Sequence, residues 1–214
     1  MRNRKVIDAL SLGAIFISAG IIALTVWALP PKVDSKLYSE IGTVLARQAL
    51  ELLPSGGEIL VIARETEAYP QPAMEIGLKE FQKQASRAGV NVTVKRIQLD
   101  PLRSVEVPPG DFYEVIRRAK GKQVIVSLLG PPVLEPEQRS KLQKETPKIV
   151  ALCTGNLAEQ TDLEELFQRG LLHAAIVRKE SSKNSGESFD QLYAAVKADS
   201  VEGAKIASKE AQKQ

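Results

Sequence analysis

A chain of 214 residues with 29 basic and 26 acidic side chains has a net charge of only +3, which excludes the dense basic surface that nucleic acid requires. A single cysteine excludes an intrachain disulfide, and a single histidine beside it excludes the usual zinc-ligand spacings. The length suits one domain with short additions.

Arg2, Arg4 and Lys5 lead into a stretch, residues 9–29 (ALSLGAIFISAGIIALTVWAL), that holds no charge and no proline. A helix over that stretch would span about 31 Å, close to the roughly 30 Å hydrocarbon core of a bilayer. Trp27 stands near its far end, and Pro30, Pro31 and Lys32 follow. The expectation is a cytoplasmic N-terminus (1–8), a single-pass signal-anchor helix (9–29) with the lipid bilayer as partner, and an extracytoplasmic remainder. The alternative is a signal peptide cleaved after Ala28 and a secreted domain. The apolar run exceeds the roughly 7–15 residues of a signal-peptide core, which favours the anchor. Arg2, Arg4, Lys5 and Asp8 together contribute +2, so the rest of the chain is close to neutral, at +1.

An amphipathic helix follows over 36–53, with Leu37, Ile41, Val44, Leu45, Leu52 and Leu53 on its apolar stripe. Strands and helices then alternate. Glu58–Ala63 reads as a buried strand. Ala73–Ala88 reads as a helix stopped by Gly89, and Val90–Leu99 as a second strand. Asp111 and Glu114 have the spacing of a capping box, so a second crossover helix should open at Asp111 and end before Gly121. Gln123–Leu129 is a third, almost wholly apolar strand. Pro136 suits the first turn of a helix reaching about Glu145. Lys148–Cys153 is the fourth strand. Thr161 and Glu164 form another capping box, and Leu171–Val177 is the fifth strand. Beyond a polar linker starting at 180, Phe189, Leu192, Tyr193 and Val196 repeat at the spacing of one helical face, so the tail is expected to be helical.

Continuous apolar strands separated by helices imply parallel strands covered on both faces. With right-handed crossovers this gives an α/β, doubly wound, mostly parallel five-stranded sheet of order 2-1-3-4-5 behind the transmembrane helix. The domain plan is a juxtamembrane linker and amphipathic helix (30–57), a Rossmann-like domain (58–179), and a flexible linker with a helical tail (180–214).

In such a sheet, ligands sit beyond the carboxyl ends of the strands. That rule selects Arg64, Glu65, Thr66 and Tyr69 after strand one, Asp100 after strand two, Ser127 and Gly130 after strand three, and Thr154, Gly155 and Asn156 after strand four. Together they offer a cation, carboxylates, hydroxyls and backbone N–H groups for a small polar ligand. Phosphate-binding loops are excluded by position. Gly56 and Gly57 precede strand one, and residues 64–71 contain no glycine. No nucleophile elbow is present. His173 falls near the amino end of strand five, away from the ligand edge. Cys153 ends an apolar strand, where a buried, inert thiol is expected. No cofactor, metal or catalytic residue is assigned.

The strand Ile59–Ile62, the helix ending in Ala85-Ser86-Arg87-Ala88-Gly89, the strand Val90–Leu99 and the run Gln123–Gly130 together resemble one lobe of the type 1 periplasmic-binding-protein fold, over about Glu58 to Lys179. In that family such a lobe binds a small ligand against a second, similar lobe. The resemblance therefore implies either a homodimer or another use of the exposed edge. The function expected from all of this is a membrane-anchored, extracytoplasmic, non-enzymatic binding or interaction module, an accessory part of an envelope complex with a protein partner. The alternative is a sensor for a sugar or amino acid. An undescribed hydrolase or transferase ranks last, because the motif screen is negative.

Overall fold

The computed structural model describes residues 13, 15–22, 33–67, 69–99, 106–119, 122–142, 146–155, 157–179 and 188–198, without the side chains of 158 and 159. The chain divides into two units, Met1–Val33 and Asp34–Gln214. In the first, residues 13 and 15–22 are helical, with the side chains of Ile15, Phe16, Ile17, Ile21 and Ile22 exposed. Among the described residues no helix is long and apolar enough to cross a membrane. The span expected over 9–29 therefore has no support from the structure, and most of that stretch lies outside the described residues.

Asp34 opens the second unit. Its Oδ1 accepts from the N–H groups of Lys36 and Leu37, both at 3.1 Å, and so satisfies two donors that a helix start leaves orphaned. Helix α1 then runs Ser35–Leu52. It is followed by β1 (Glu58–Arg64), α2 (Pro72–Arg87), β2 (Val92–Ile97), α3 (Pro109–Arg118) and β3 (Gln123–Ser127). The second half comprises α4 (Pro136–Ser140), β4 (Lys148–Cys153), α5 (Leu157–Gln160), α6 (Leu163–Gln168), β5 (Ala174–Arg178), α7 (Phe189–Leu192) and β6 (Tyr193–Lys197).

The sheet has six strands in the order β2-β1-β3-β4-β5-β6. The first five are parallel, with Val61 of β1 registered against Val94 on one side and Val126 on the other. Strand β6 corrects the five-stranded expectation. It pairs antiparallel with β5, from Tyr193 opposite Arg178 to Lys197 opposite Ala174. The helical tail is corrected with it. Phe189 and Leu192 bury themselves from a single helical turn, and the chain becomes extended at Tyr193. The open edge of β5 supplies ladder hydrogen bonds that an isolated short helix cannot match.

Two helix starts and one helix end differ from expectation: α6 is capped by Asp162, which accepts from the Glu165 N–H, and not by Thr161. Helix α3 begins at Pro109, with Pro108 as its cap, so Asp111 lies in the first turn and not at the cap. Proline's fixed φ suits that first position, and the Asp111 carboxylate still favours the positive end of the helix dipole. Helix α4 spans only Pro136–Ser140, and residues 143–145 lie outside the described set.

Both faces of the sheet are covered. Val61, Val124, Val126, Val150 and Ile176 point into a core closed by α1 and α2. Ile62, Ile125, Ile149, Ala151 and Ala175 point into the opposite core, closed by α3 and by Leu166 and Phe167 of α6. Right-handed crossovers put α2 on one face and the later helices on the other. The α2 face would be bare over β3, β4 and β5, and α1 covers it. The two helices on that face approach at glycines. A Cβ on Gly42 would lie 2.2 Å from the Gly77 carbonyl oxygen, so only a hydrogen fits there.

Candidate functional site

The carboxyl ends of the strands carry two kinds of structure: loops tied to one another and a cavity. The loop after β1 is tied. Arg96, on edge strand β2, forks onto the Glu75 carboxylate at 2.7 and 3.0 Å and also donates to the Arg64 carbonyl at 3.0 Å. The Thr66 hydroxyl donates to Glu75 Oε1 at 3.0 Å. Glu65 Oε1 accepts from the N–H groups of Thr66 and Glu67 at 2.8 and 3.3 Å. The Arg96 bonds hold the Glu75 carboxyl below its ordinary range, and the Glu75 carboxylate in turn raises Arg96.

The expected site residues therefore separate. Glu65 and Thr66 shape the loop. Arg64 alternates onto the Ile62 face, where it is buried and its Nη2 donates to the Leu99 carbonyl at 3.3 Å. Ser127 is fully buried, and its Oγ accepts from the Leu129 N–H at 3.2 Å, closing the turn after β3. Gly130 reverses the backbone at φ 87°, and a side chain there would press on Leu157 at 3.3 Å. Gly155 turns the chain after β4 at φ 61°. Tyr69 is 53% exposed and does not line the cavity. Asp100 and Asn156 lie outside the described residues. Of the eight that are described, Thr154 alone lines the cavity.

That cavity measures about 200 Å³. Helix α1 contributes Tyr38, Ile41 and Leu45 to its wall, and the first turns of α2 contribute Met74 and Gly77, with Gln71 at the cap. Leu128, Leu129 and Leu152 form the floor beside Thr154. It lies beyond the carboxyl ends of β3 and β4, next to the point where the strand order reverses around β1. Gln71 makes no cap hydrogen bond, so the start of α2 is not closed by its own side chain. The strand-end rule missed Tyr38, Ile41 and Leu45 because it looks only at loops that follow strands, and α1 precedes them all; Gln71 ends the loop after β1, two residues beyond Tyr69, the last position selected there. A signal was present in the glycines placed mid-helix at 42 and 77, since a mid-helix glycine that is otherwise costly marks a close helix approach.

A larger hollow of about 370 Å³ opens on the opposite face beside Glu106, Arg139, Asp162 and Glu165. Its charges serve one another: Arg139 meets Glu165 at 3.1 Å, and Asp162 caps α6 through the Glu165 N–H at 2.9 Å. Neither reactive side chain is set up for acid–base work at neutral pH. Burial, reinforced by the Glu106 charge, pushes the Cys153 thiol up to about 12. Burial, helped by the Lys148 charge, pulls His173 down to about 4, and its Nδ1 accepts from the Ile149 N–H at 3.2 Å. Among the described residues no group of three metal-binding side chains gathers.

No protein-family model and no curated protein matches the chain. Solved structures do. A periplasmic ribose ABC transporter protein from Conexibacter woesei superposes with a TM-score of 0.54 at 9% identity, over 78% of this chain and 59% of that one. A carbohydrate transporter solute-binding protein from Agrobacterium radiobacter, in complex with D-arabinose, gives 0.54 at 13% identity, over 80% and 62%. A sugar-binding protein of a Bacillus halodurans sugar ABC transporter gives 0.50 at 11% identity, over 76% and 62%. The chain thus has the fold of type 1 periplasmic-binding proteins, and it spans about three fifths of the length of these structures.

Proposed function

We propose that this chain is a non-enzymatic binding module that holds a small molecule at the carboxyl-terminal edge of its sheet. The observation that carries this is the cavity between α1, α2 and the ends of β3 and β4, which occupies the position where open α/β sheets receive ligands. The fold supports it, since two of its solved neighbours are named for ribose and held with D-arabinose. In this reading Thr154, Tyr38 and Gln71 contact the ligand, and Tyr69 with the Gly155 turn borders the entrance. Arg64, Glu65, Thr66 and Ser127 hold the surrounding backbone. The uncharged stretch at 9–29 supports a module tethered to the outer face of a membrane, which fractionation of the expressed chain tests directly.

Thermal unfolding of the full chain against a panel of sugars and amino acids tests the binding reading. One ligand class should raise the midpoint, and Thr154→Val should shrink the rise. If no member of the panel shifts the midpoint, the binding reading fails. Co-purification from membranes then becomes the assay for an accessory role in an envelope complex.

A further inference from the structure

The wall of the cavity is more selective than the fold it sits in. Ile41, Leu45, Met74, Leu128, Leu129 and Leu152 make most of it apolar. Among the described residues, only the Tyr38, Gln71 and Thr154 side chains bring nitrogen or oxygen atoms to its lining. A sugar ring carries hydroxyls around its whole circumference, and each must exchange its water bonds for protein bonds on entry. Three polar side chains cannot serve them all, so a sugar seated here would leave hydroxyls facing leucine. An aliphatic or aromatic group loses nothing in the same place and gains the burial of its own surface. Size sets the limit. An apolar cavity of about 150 Å³ takes a six-carbon ring. One of about 200 Å³ therefore takes an apolar group of about six to eight heavy atoms.

We propose that the ligand of this cavity is an amphipathic small molecule: one aliphatic or aromatic group of that size seated between α1 and the β3–β4 floor, and one hydrogen-bonding head held by Thr154 and Gln71 at the α2 end. This rests on the binding reading above and narrows it away from sugars. The selectivity comes from α1, whose Ile41 and Leu45 turn a polar strand edge into a lined chamber.

The test is thermal unfolding of the full chain with 1-hexanol, L-leucine and hexanoate as amphipathic probes, and D-ribose and D-arabinose as polyhydroxylated ones. At ten times the dissociation constant an amphipathic probe should raise the midpoint by about 3–6 °C. Ala73→Phe provides the control. Ala73 lines the cavity on the half-exposed first turn of α2, so the larger ring fills the space with little strain on the core. The variant should abolish the rise while unfolding at an unchanged midpoint without probe. A rise with ribose or arabinose and none with the amphipathic probes overturns this inference and leaves the binding reading standing. A rise with an amphipathic probe that survives Ala73→Phe also overturns it, because the probe then binds elsewhere. No rise with either class sinks both.

Discussion

His173 shows how a single side chain couples this fold to pH. It stands just before β5, where its backbone N–H donates to the Ile149 carbonyl at 2.8 Å and its ring Nδ1 accepts from the Ile149 N–H at 3.2 Å. Protonation of Nδ1 would set one N–H against another at the point where β4 meets β5. The folded pKa of about 4 lies below the ordinary 6.5, so the unfolded chain binds the extra proton first. The stability that neutral His173 contributes is present above pH 6.5 and is lost as pH falls from there through 4. The ring is half-buried, so solvent screening limits the loss to about 1–2 kcal/mol. Urea unfolding at pH 7 and pH 4 checks this. His173→Asn keeps an acceptor without the titration, and its stability should fall by that much less than the parent chain's. Equal losses in the two proteins would remove His173 from the acid response. The Cys153 thiol reports a similar environment on the same side of the sheet, where burial makes it a packing group. Position alone marks Cys153, at the end of an apolar strand, as a buried inert thiol and His173, away from the ligand edge, as no catalytic base; the coupling to pH emerges only from the contact with Ile149.

At the scale of elements, the pairing of α1 with α2 decides most. Their axes come together where Gly42 meets the Gly77 carbonyl, a backbone atom that cannot swing aside. Gly42→Ala should cost about 2–3 kcal/mol, because the helices must separate and the Ile41 and Leu45 packing opens with them. Gly110→Ala is the contrast. Nothing lies within 4 Å of its Cβ position and the residue is exposed in the first turn of α3, so replacement should stabilise by about 0.5 kcal/mol. Urea midpoints that move together for the two variants would refute the close-approach account. Strand β6 poses the opposite problem. It closes the edge of β5, and its Lys197 ammonium meets Glu51 on α1, while Glu40 Oε2 accepts from the Phe189 N–H at 3.2 Å. Ending the chain after Leu192 bares the β5 ladder. The shortened protein should associate with rising concentration more than the full chain does, which sedimentation velocity measures. Here the helical spacing of Phe189, Leu192, Tyr193 and Val196 misled. Periodicity describes which residues want burial, and a turn of helix followed by a strand buries Phe189, Leu192 and Tyr193 as well.

For the folded unit as a whole, α1 is part of the core although it precedes the first strand. Ile41, Leu45, Ala46 and Ala49 are buried in the same cluster as Val126 and Val150. A fragment beginning at Gly57 leaves that sheet face open over β3, β4 and β5. It should show near-native far-ultraviolet circular dichroism, weak near-ultraviolet signal and strong dye binding to exposed apolar surface. A cooperative unfolding transition equal to that of the full chain would show that α1 is dispensable. The amphipathic stripe of α1 was legible in the sequence, but its partner surface was not, since a stripe specifies that a helix buries a face without specifying against what.

The sequence by itself determined the alternation of apolar strands and helices, the parallel order of the first five strands, and the lack of a phosphate loop, a disulfide or a nucleophile elbow. These follow from local periodicity, from glycine and proline placement and from residue inventory, which act over a few residues at a time. Only the tertiary structure decided that α1 covers the sheet, that β6 caps its edge, and that Glu65, Thr66 and Ser127 serve their own loops while Thr154 faces a cavity. The physical reason is that each of these depends on contacts between residues far apart in the chain. The Leu45 to Leu152 wall of the cavity and the Gly42 to Gly77 approach exist only once the backbone has brought distant segments together.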